Sequence, residues 1–343
     1  VAQNPALAGI VEKSGGSLSA FYNPGLFTTM QLMFGGLSAV FAVCAIIALW
    51  RKDRPKYFGL GTTQKVGVKD YVDTLAHNRA IQMLVVSAST DKLFMSTMSN
   101  STVMICLFGI IFGNYAAFSS YSQITSIPIA LISILLMNKI ARQMGQKASM
   151  MAGTYGGIIG SIIITLFLVF VNPRGDASKF AIPAFRIIRP DTWGTLFTGW
   201  SAVGLIFILL VIAWRGVQAL SSSIVITMTA DCADYEVYRT GKYVPGLMGT
   251  LFSFVDKLVS SLATTLVALF YSMVGFKDAL PDTLTPYSDG IFWATIGCFV
   301  LLPIVGWLCN VVAMHFYPLT KEKMEEIQAE IGRIKAEAAA KQA

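Results

Sequence analysis

Long apolar stretches separated by short polar turns set the pattern of this chain. Residues 27–50 form the first, closed by Trp50 and the basic run Arg51-Lys52-Asp53-Arg54-Pro55-Lys56. An aromatic anchor followed by Lys and Arg marks a membrane span whose end faces the cytoplasm. Residues 80–113, 123–137, 150–171, 195–231, 246–275 and 291–316 are six further candidate spans. A span needs about twenty residues, so 195–231 is long for one simple crossing and implies a tilted or overhanging helix. Pro128 predicts a kink in the third stretch. Gly153, Gly156, Gly157 and Gly160 give the fourth a small-residue face for close helix packing.

Polar positions inside these stretches carry their own periodicity. The first half of 80–113 holds Ser87, Ser89, Thr90, Asp91, Lys92, Ser96 and Thr97, spread around the helix, so this helix is expected to be central and to line a cavity. Arg215, Gln218 and Ser222 share one face of the fifth stretch. Thr250, Ser253, Lys257, Ser260, Ser261 and Thr264 recur at three- and four-residue steps on the sixth. Outside the spans, residues 1–25 read as a loop. Val68, Tyr71, Val72, Leu75 and Ala76 predict a short linker helix within 51–79. Met324, Ile327, Ile331 and Ile334 predict a solvated or membrane-skimming surface helix in the tail.

Composition agrees with the pattern. Apolar residues make up 55% of the chain and charged ones 13%, the balance of a polytopic membrane protein. The formal charge of +7 is read through its distribution. Lys and Arg gather in 51–79, 139–147, 239–242 and the tail, while the opposite side keeps chiefly Arg174, Lys179, Arg186 and Arg189. The positive-inside rule then puts the amino terminus outside and the carboxyl terminus in the cytoplasm of a multi-pass protein of the cell membrane. No clustered basic face points to nucleic acid. Five cysteines lack metal or redox spacing, only two histidines are present, and no Ser-His-Asp, zinc or phosphate-loop constellation occurs, so neither an enzyme nor a cofactor is expected.

The stretch from 224 to 276 carries a resemblance. Asp231-Cys232-Ala233-Asp234-Tyr235, then Arg239-Thr240-Gly241-Lys242, then Gly246, Phe252-Ser253-Phe254 and Lys257-Leu258 resemble the ordered pattern of the glycoside–pentoside–hexuronide:cation symporters. That melibiose-permease-like family is a branch of the major facilitator superfamily. Lys139 to Lys147 resembles, in weakened form, the superfamily's basic cytoplasmic turn. The resemblance implies an all-α polytopic transmembrane helix bundle, an incomplete major facilitator fold with about seven of twelve spans. Residues 1–50 would be an external loop and the last helix of the amino-terminal half. Residues 51–79 would be the central cytoplasmic loop, 80–316 the carboxyl-terminal six-helix half and 317–343 a cytoplasmic tail helix. With Val1 in place of Met and no leader-like segment, the sequence is expected to be an amino-terminally truncated piece.

The same resemblance implies a sugar or glycoside symporter coupled to Na⁺ or H⁺ and working by alternating access in a lipid bilayer. Lys257 matches the family's lysine at the cation and sugar site. Asp256, beside it, departs from the pattern and is expected to neutralise Lys257 or to serve as a second cation ligand. Ser253 and Ser222 fall where family members place sugar-contacting groups, although a tryptophan known at the second position is missing. Asp91 and Lys92 are neighbours, about 100° apart on a helix, so each needs a partner other than its neighbour. They are expected to line the cavity or to join a structural network. Asp231 and Asp234 are expected to end a helix on the cytoplasmic side as gate carboxylates. An exporter of drugs or metabolites and a non-transporting sugar sensor stay open as other readings.

Overall fold

The computed structural model describes residues 24–50, 67–172, 174, 176–183, 198–241 and 245–340. Residues 1–23 of the expected 1–25 loop, residues 51–66 of the linker with the Arg51–Lys56 cluster, Arg186, Arg189 and Lys242 lie outside the described residues, and Pro24 and Gly25 begin a helix. The chain divides into two compact units, Val1–Thr63 and Gln64–Ala343. The first contributes one described helix, α1 (Pro24–Trp50), apolar around its whole circumference and exposed along its length. A helix apolar on every side belongs in lipid rather than on a soluble surface.

The second unit is built of helices and turns, with no strand among the described residues. It begins with the short α2 (Val68–His77), the expected linker helix, followed by α3 (Arg79–Met98). Asn78 caps α3, its Oδ1 accepting the Ile81 N–H at 3.0 Å. Its amide nitrogen donates to the buried Glu236 carboxylate at 2.8 Å. Arg239 donates to the other oxygen of Glu236 at 2.8 Å, so that charge is both paired and hydrogen-bonded.

The stretch expected as one span over 80–113 is two helices. After α3 the chain bends by 46° into α4 (Ser101–Ile111). Ser99 and Asn100 cause the break: the Ser99 hydroxyl turns back to Met95 O at 2.7 Å, and Asn100 caps the next helix by accepting the Thr102 N–H at 2.9 Å. Next comes α5 (Tyr115–Met144), which runs through Pro128 as a single 30-residue helix, longer than the expected 123–137. Gly145, at φ +89°, then turns the chain directly into α6 (Gln146–Val171).

The fifth stretch becomes α7 (Ala202–Thr240), 39 residues long. At 1.5 Å per residue it measures about 58 Å, nearly twice the hydrocarbon thickness, so it overhangs the membrane. It ends at Gly241, whose φ of +71° is the left-handed conformation glycine adopts freely. Asp231 and Asp234 therefore lie inside the helix and do not end it, because nothing before Gly241 stops the ladder. The sixth stretch is α8 (Pro245–Ser260) and α9 (Ala263–Met273), joined by a turn at Ser261–Leu262. The seventh is α10 (Asp289–Phe316) with a π-helical turn over Gly297–Leu301. Among the described residues of the chain, six helices are long and apolar enough to cross a membrane, or seven with the bent α3–α4 pair.

Glycines bring the helices together. A Cβ at Gly153 would stand 2.5 Å from the Ser221 backbone nitrogen, and one at Gly157 2.8 Å from the Trp307 ring. Gly156 and Gly160 face Val217 and Trp214 as tightly. The predicted small face of α6 thus receives α7 and α10, and the Trp214 indole donates to Gly157 O at 3.0 Å.

Two apolar clusters result. One stacks Phe108, Phe112, Phe118, Phe180 and Phe207, with the rings of Phe112 and Phe180 4.1 Å apart. The other surrounds Met228, Cys232 and Tyr317. Fully buried Ser87, Thr154 and Asn310 are bonded to one another across α3, α6 and α10 at 2.5 and 2.7 Å.

The tail differs from its expectation. The helix α11 (Lys321–Ala340) buries Ile327 and Ile331 completely or nearly so in the second cluster. Tyr238 donates to Glu326 at 2.9 Å and Gln328 to Asp234 at 2.6 Å. The overhanging end of α7 supplies the surface for this docking. Ile334 lies outside the described side chains.

The exterior is apolar. Ile127, Leu131, Ile132, Leu135, Phe170 and Val312 are all exposed, and each belongs to a membrane-length helix. A soluble protein does not present so continuous an apolar surface; a bilayer is the solvent that accepts it.

Candidate functional site

Three of these helices line an open cavity of about 690 Å³ in the second unit. Its polar lining is Asp91 and Lys92 from α3, Arg215, Gln218 and Ser222 from α7, and Asp256 from α8. The spacing explains why. Residues 215, 218 and 222 lie on one face of α7, and Phe252 and Asp256 are one turn apart on α8. Ser96 and Ser99 add hydroxyls from the end of α3, just before the bend.

Asp91 and Lys92 diverge as neighbours on a helix must. Asp91 is buried, with the Trp307 indole and Lys92 as its polar neighbours, and Lys92 is exposed. Arg215 donates through Nη1 to Ser122 Oγ on α5 at 2.7 Å. No carboxylate pairs with Arg215 among the described residues, and its Nε is shielded without a partner. Gln218 is 3% exposed, and neither its amide oxygen nor its amide nitrogen has a partner among the described residues. Ser222 is exposed, its hydroxyl turned back to Ala219 O at 3.5 Å.

Four of the six residues expected at the substrate and cation site line this cavity: Asp91, Lys92, Ser222 and Asp256. Ser253 and Lys257 do not. The polar stripe that runs along α8 into α9 through Thr250, Ser253, Lys257, Ser261 and Thr264 is exposed on the surface of the unit, while Met248, Leu251 and Ala263 turn inward. Successive helical residues point about 100° apart, so with Asp256 in the cavity Lys257 faces elsewhere. No ion pair joins Lys257 to Asp256 or Asp91 among the described residues. Arg215 and Gln218 are lining residues that the sequence shows only as members of a polar stripe. The signal for them is their register with Ser222.

The expected gate residues lie further along α7, toward its carboxyl end and under the tail. Asp231 lines a second cavity of about 270 Å³ with Gln146, Lys321 and Gln328, and Asp234 accepts the bond from Gln328. They bear on the tail helix of the same unit. Among the described residues no cluster of three or more His, Cys, Asp or Glu is arranged to hold a metal ion.

Membrane-length helices with a lipid-facing exterior around a charged, water-accessible cavity define a multi-pass membrane protein. Residues 9–321 match the family described as MFS/sugar transport protein, MFS being the major facilitator superfamily, and the chain belongs to that family. It is also similar to the glucuronide carrier protein homolog of Escherichia coli (strain K12), with 28% identity over 163 residues. That alignment covers 46% of this chain and 33% of the relative, so the chain matches about a third of that protein's length. Both findings agree with the resemblance to the glycoside–pentoside–hexuronide:cation symporters carried by residues 231–258.

Proposed function

We propose that this protein moves a sugar or glycoside across the cell membrane by alternating access, coupled to Na⁺ or H⁺, with its carboxyl terminus in the cytoplasm. The observation that carries the reading is the cavity. Both signs of charge and uncharged donors meet there within an apolar bundle, a costly arrangement that membrane proteins keep for ligand and ion pathways. Asp91 and Asp256 are the groups for the cation, since hard cations and protons prefer carboxylate oxygen. Ser222 and Lys92 are the hydrogen-bonding groups for sugar hydroxyls. The name of the similar glucuronide carrier protein homolog supports a glycoside as cargo.

Lys257 and Ser253 join the pathway on this reading only when another element covers the exposed stripe of α8. A lysine at bilayer depth demands such cover. Cation and sugar then each favour the same covered state, which is what couples them.

The test is counterflow of labelled glycosides in vesicles carrying the intact gene product, under imposed Na⁺ or H⁺ gradients. Gradient-stimulated exchange that is lost in Asp91→Asn and Asp256→Asn supports the proposal. No sugar movement under either gradient refutes it. Exchange that ignores both gradients refutes the coupling alone.

A further inference from the structure

We propose that Phe252 is the platform on which the transported sugar lies, with the C–H face of the pyranose stacked on its phenyl ring. The inference rests on the sugar-carrier reading of the cavity and adds to it the residue that reads the apolar side of the sugar.

A pyranose has two kinds of surface. Its hydroxyls point outward around the rim, and its axial hydrogens form faces that hold no strong donor or acceptor. The rim needs polar partners, and Lys92, Ser96, Ser99, Ser222 and Asp256 stand in the lining to meet it. The faces need apolar cover, because taking apolar surface out of water is favourable.

Phe252 is the one aromatic side chain among the described residues of the lining. The other large apolar residues there suit the task less well. Met98 and Val225 are 2% and 6% exposed, so little of either reaches a ligand. Ile226 is branched and presents no flat surface. Met95 is half-buried and turns about three bonds, so ordering it against a ligand costs more entropy. A phenyl ring is flat and stiff, and its negative face attracts the weakly positive hydrogens of C–H bonds.

The fold holds the ring in place. Met248 and Leu251 are buried and fix the rotation of α8 about its axis. Phe252 then comes to the half-buried face, where it packs against the second cluster and lines the cavity. Part of the side chain is backed by core and part is open, as a fixed platform requires. Asp256 is four residues on, the neighbouring position of the same helical face. A sugar stacked on Phe252 has its rim beside the Asp256 carboxylate, one of the two groups assigned to the cation. Cation and sugar then share one face of α8.

The measurement is equilibrium binding to the intact gene product in lipid nanodiscs, at saturating Na⁺ and pH 6 so that either coupling cation is supplied. The probes are methyl β-D-glucoside, methyl β-D-galactoside and methyl β-D-xyloside. Phe252→Leu keeps apolar bulk and removes the flat face, and it is expected to weaken binding about 3- to 12-fold. Phe252→Tyr keeps the ring and should stay within about twofold of the wild-type protein. In Phe252→Trp the bound sugar should change the indole emission by more than any change seen in the wild-type protein.

A residue that only fills the second cluster gives the opposite order. Leu, close in volume, would then hold the affinity, and Tyr, with a hydroxyl to bury, would lose it. That order overturns the platform. So does a Phe252→Trp protein that binds sugar with no emission change beyond the wild-type one. A melt without sugar reports folding, and Phe252→Leu should keep its midpoint within about 6 °C. If it falls further, the Tyr affinity and the Trp emission decide by the same criteria. Glycosides that bind the wild-type protein and Phe252→Leu equally well remove the platform and leave the sugar reading standing. If none of the three binds the wild-type protein, the sugar reading of the cavity falls and the platform falls with it.

Discussion

Gly153→Ala offers the most direct test of how this bundle is held together. The new methyl would stand 2.5 Å from the Ser221 backbone nitrogen, 2.9 Å from its Cβ and 3.1 Å from its Cα. Ordinary contact begins near 3.4 Å, so the clash is nearly an ångström deep and falls on main chain. Main chain in the middle of α7 has no rotamer with which to give way. The two helices must separate, at an overpacking cost of about 1–3 kcal/mol. Against this, Ala is favoured over Gly inside a helix by about 1 kcal/mol. The net expectation is a loss of roughly 0–2 kcal/mol.

Gly249→Ala isolates the two effects. Gly249 is also helical, in α8, but a Cβ there meets nothing within 4 Å. It takes the propensity gain without the clash, so the gap between the two variants is the packing term alone, about 1–3 kcal/mol. Buried Cys106, Cys232 and Cys298 supply the readout, because a thiol-reactive dye reports them only as the bundle opens on heating in detergent. Cys44 is exposed and Cys309 half-buried, and both are replaced by Ser in every variant to remove background. At about 2–4 °C per kcal/mol, the two melting points should differ by several degrees, with Gly153→Ala the lower. Equal midpoints, or a more stable Gly153→Ala, would refute the close approach of α6 and α7.

Asn310→Ala leaves the Ser87 hydroxyl, in a fully buried layer, only its weak contact to Met150 Sδ and should cost about 1–3 kcal/mol in the same melt. Asn78→Ala removes the cap of α3 and a donor to Glu236, for about 1–2 kcal/mol, again read as a lowered midpoint. Ile327→Asp puts a carboxylate where the tail meets the second cluster and should release α11. Trypsin would then cut at Lys323 and Arg333 faster than in the wild-type chain, with the rest of the bundle intact. An unchanged digestion rate would mean that the tail is held by other contacts.

Much of the bundle was readable because periodicity survives in lipid as well as in water. The glycine face of α6 follows from four residues at helical spacing, and the structure seats Trp214, Val217, Ser221 and Trp307 on it. The break between α3 and α4 was not readable from hydropathy, since the stretch stays apolar enough across Ser99 and Asn100. Only the preference of those two side chains for capping positions marks it. The docking of the tail is hidden in the sequence for a different reason. Its apolar positions show that one face seeks cover, but not that the far end of a 39-residue α7 reaches out to provide it.

The site shows the limit most sharply, because it is set by a rotation. Asp91 with Lys92 and Asp256 with Lys257 are both acid–base neighbours, and a sequence invites reading each as a pair. A helix turns successive side chains about 100° apart and so splits each one. On α3 the acid goes inward to Trp307 and the lysine stays exposed; on α8 the acid takes the cavity and the lysine the outer face. Which member goes where depends on the helix's rotation about its axis, and that is fixed by large residues such as Met248, Leu251 and Val267 finding the core. Apolar packing therefore chooses the cavity's charges. Arg215 enters the lining by the same route, carried there by the turn of α7 that buries Trp214 and Val211. A substitution that rotates one of these helices would exchange the cavity's ions without touching an ionisable residue.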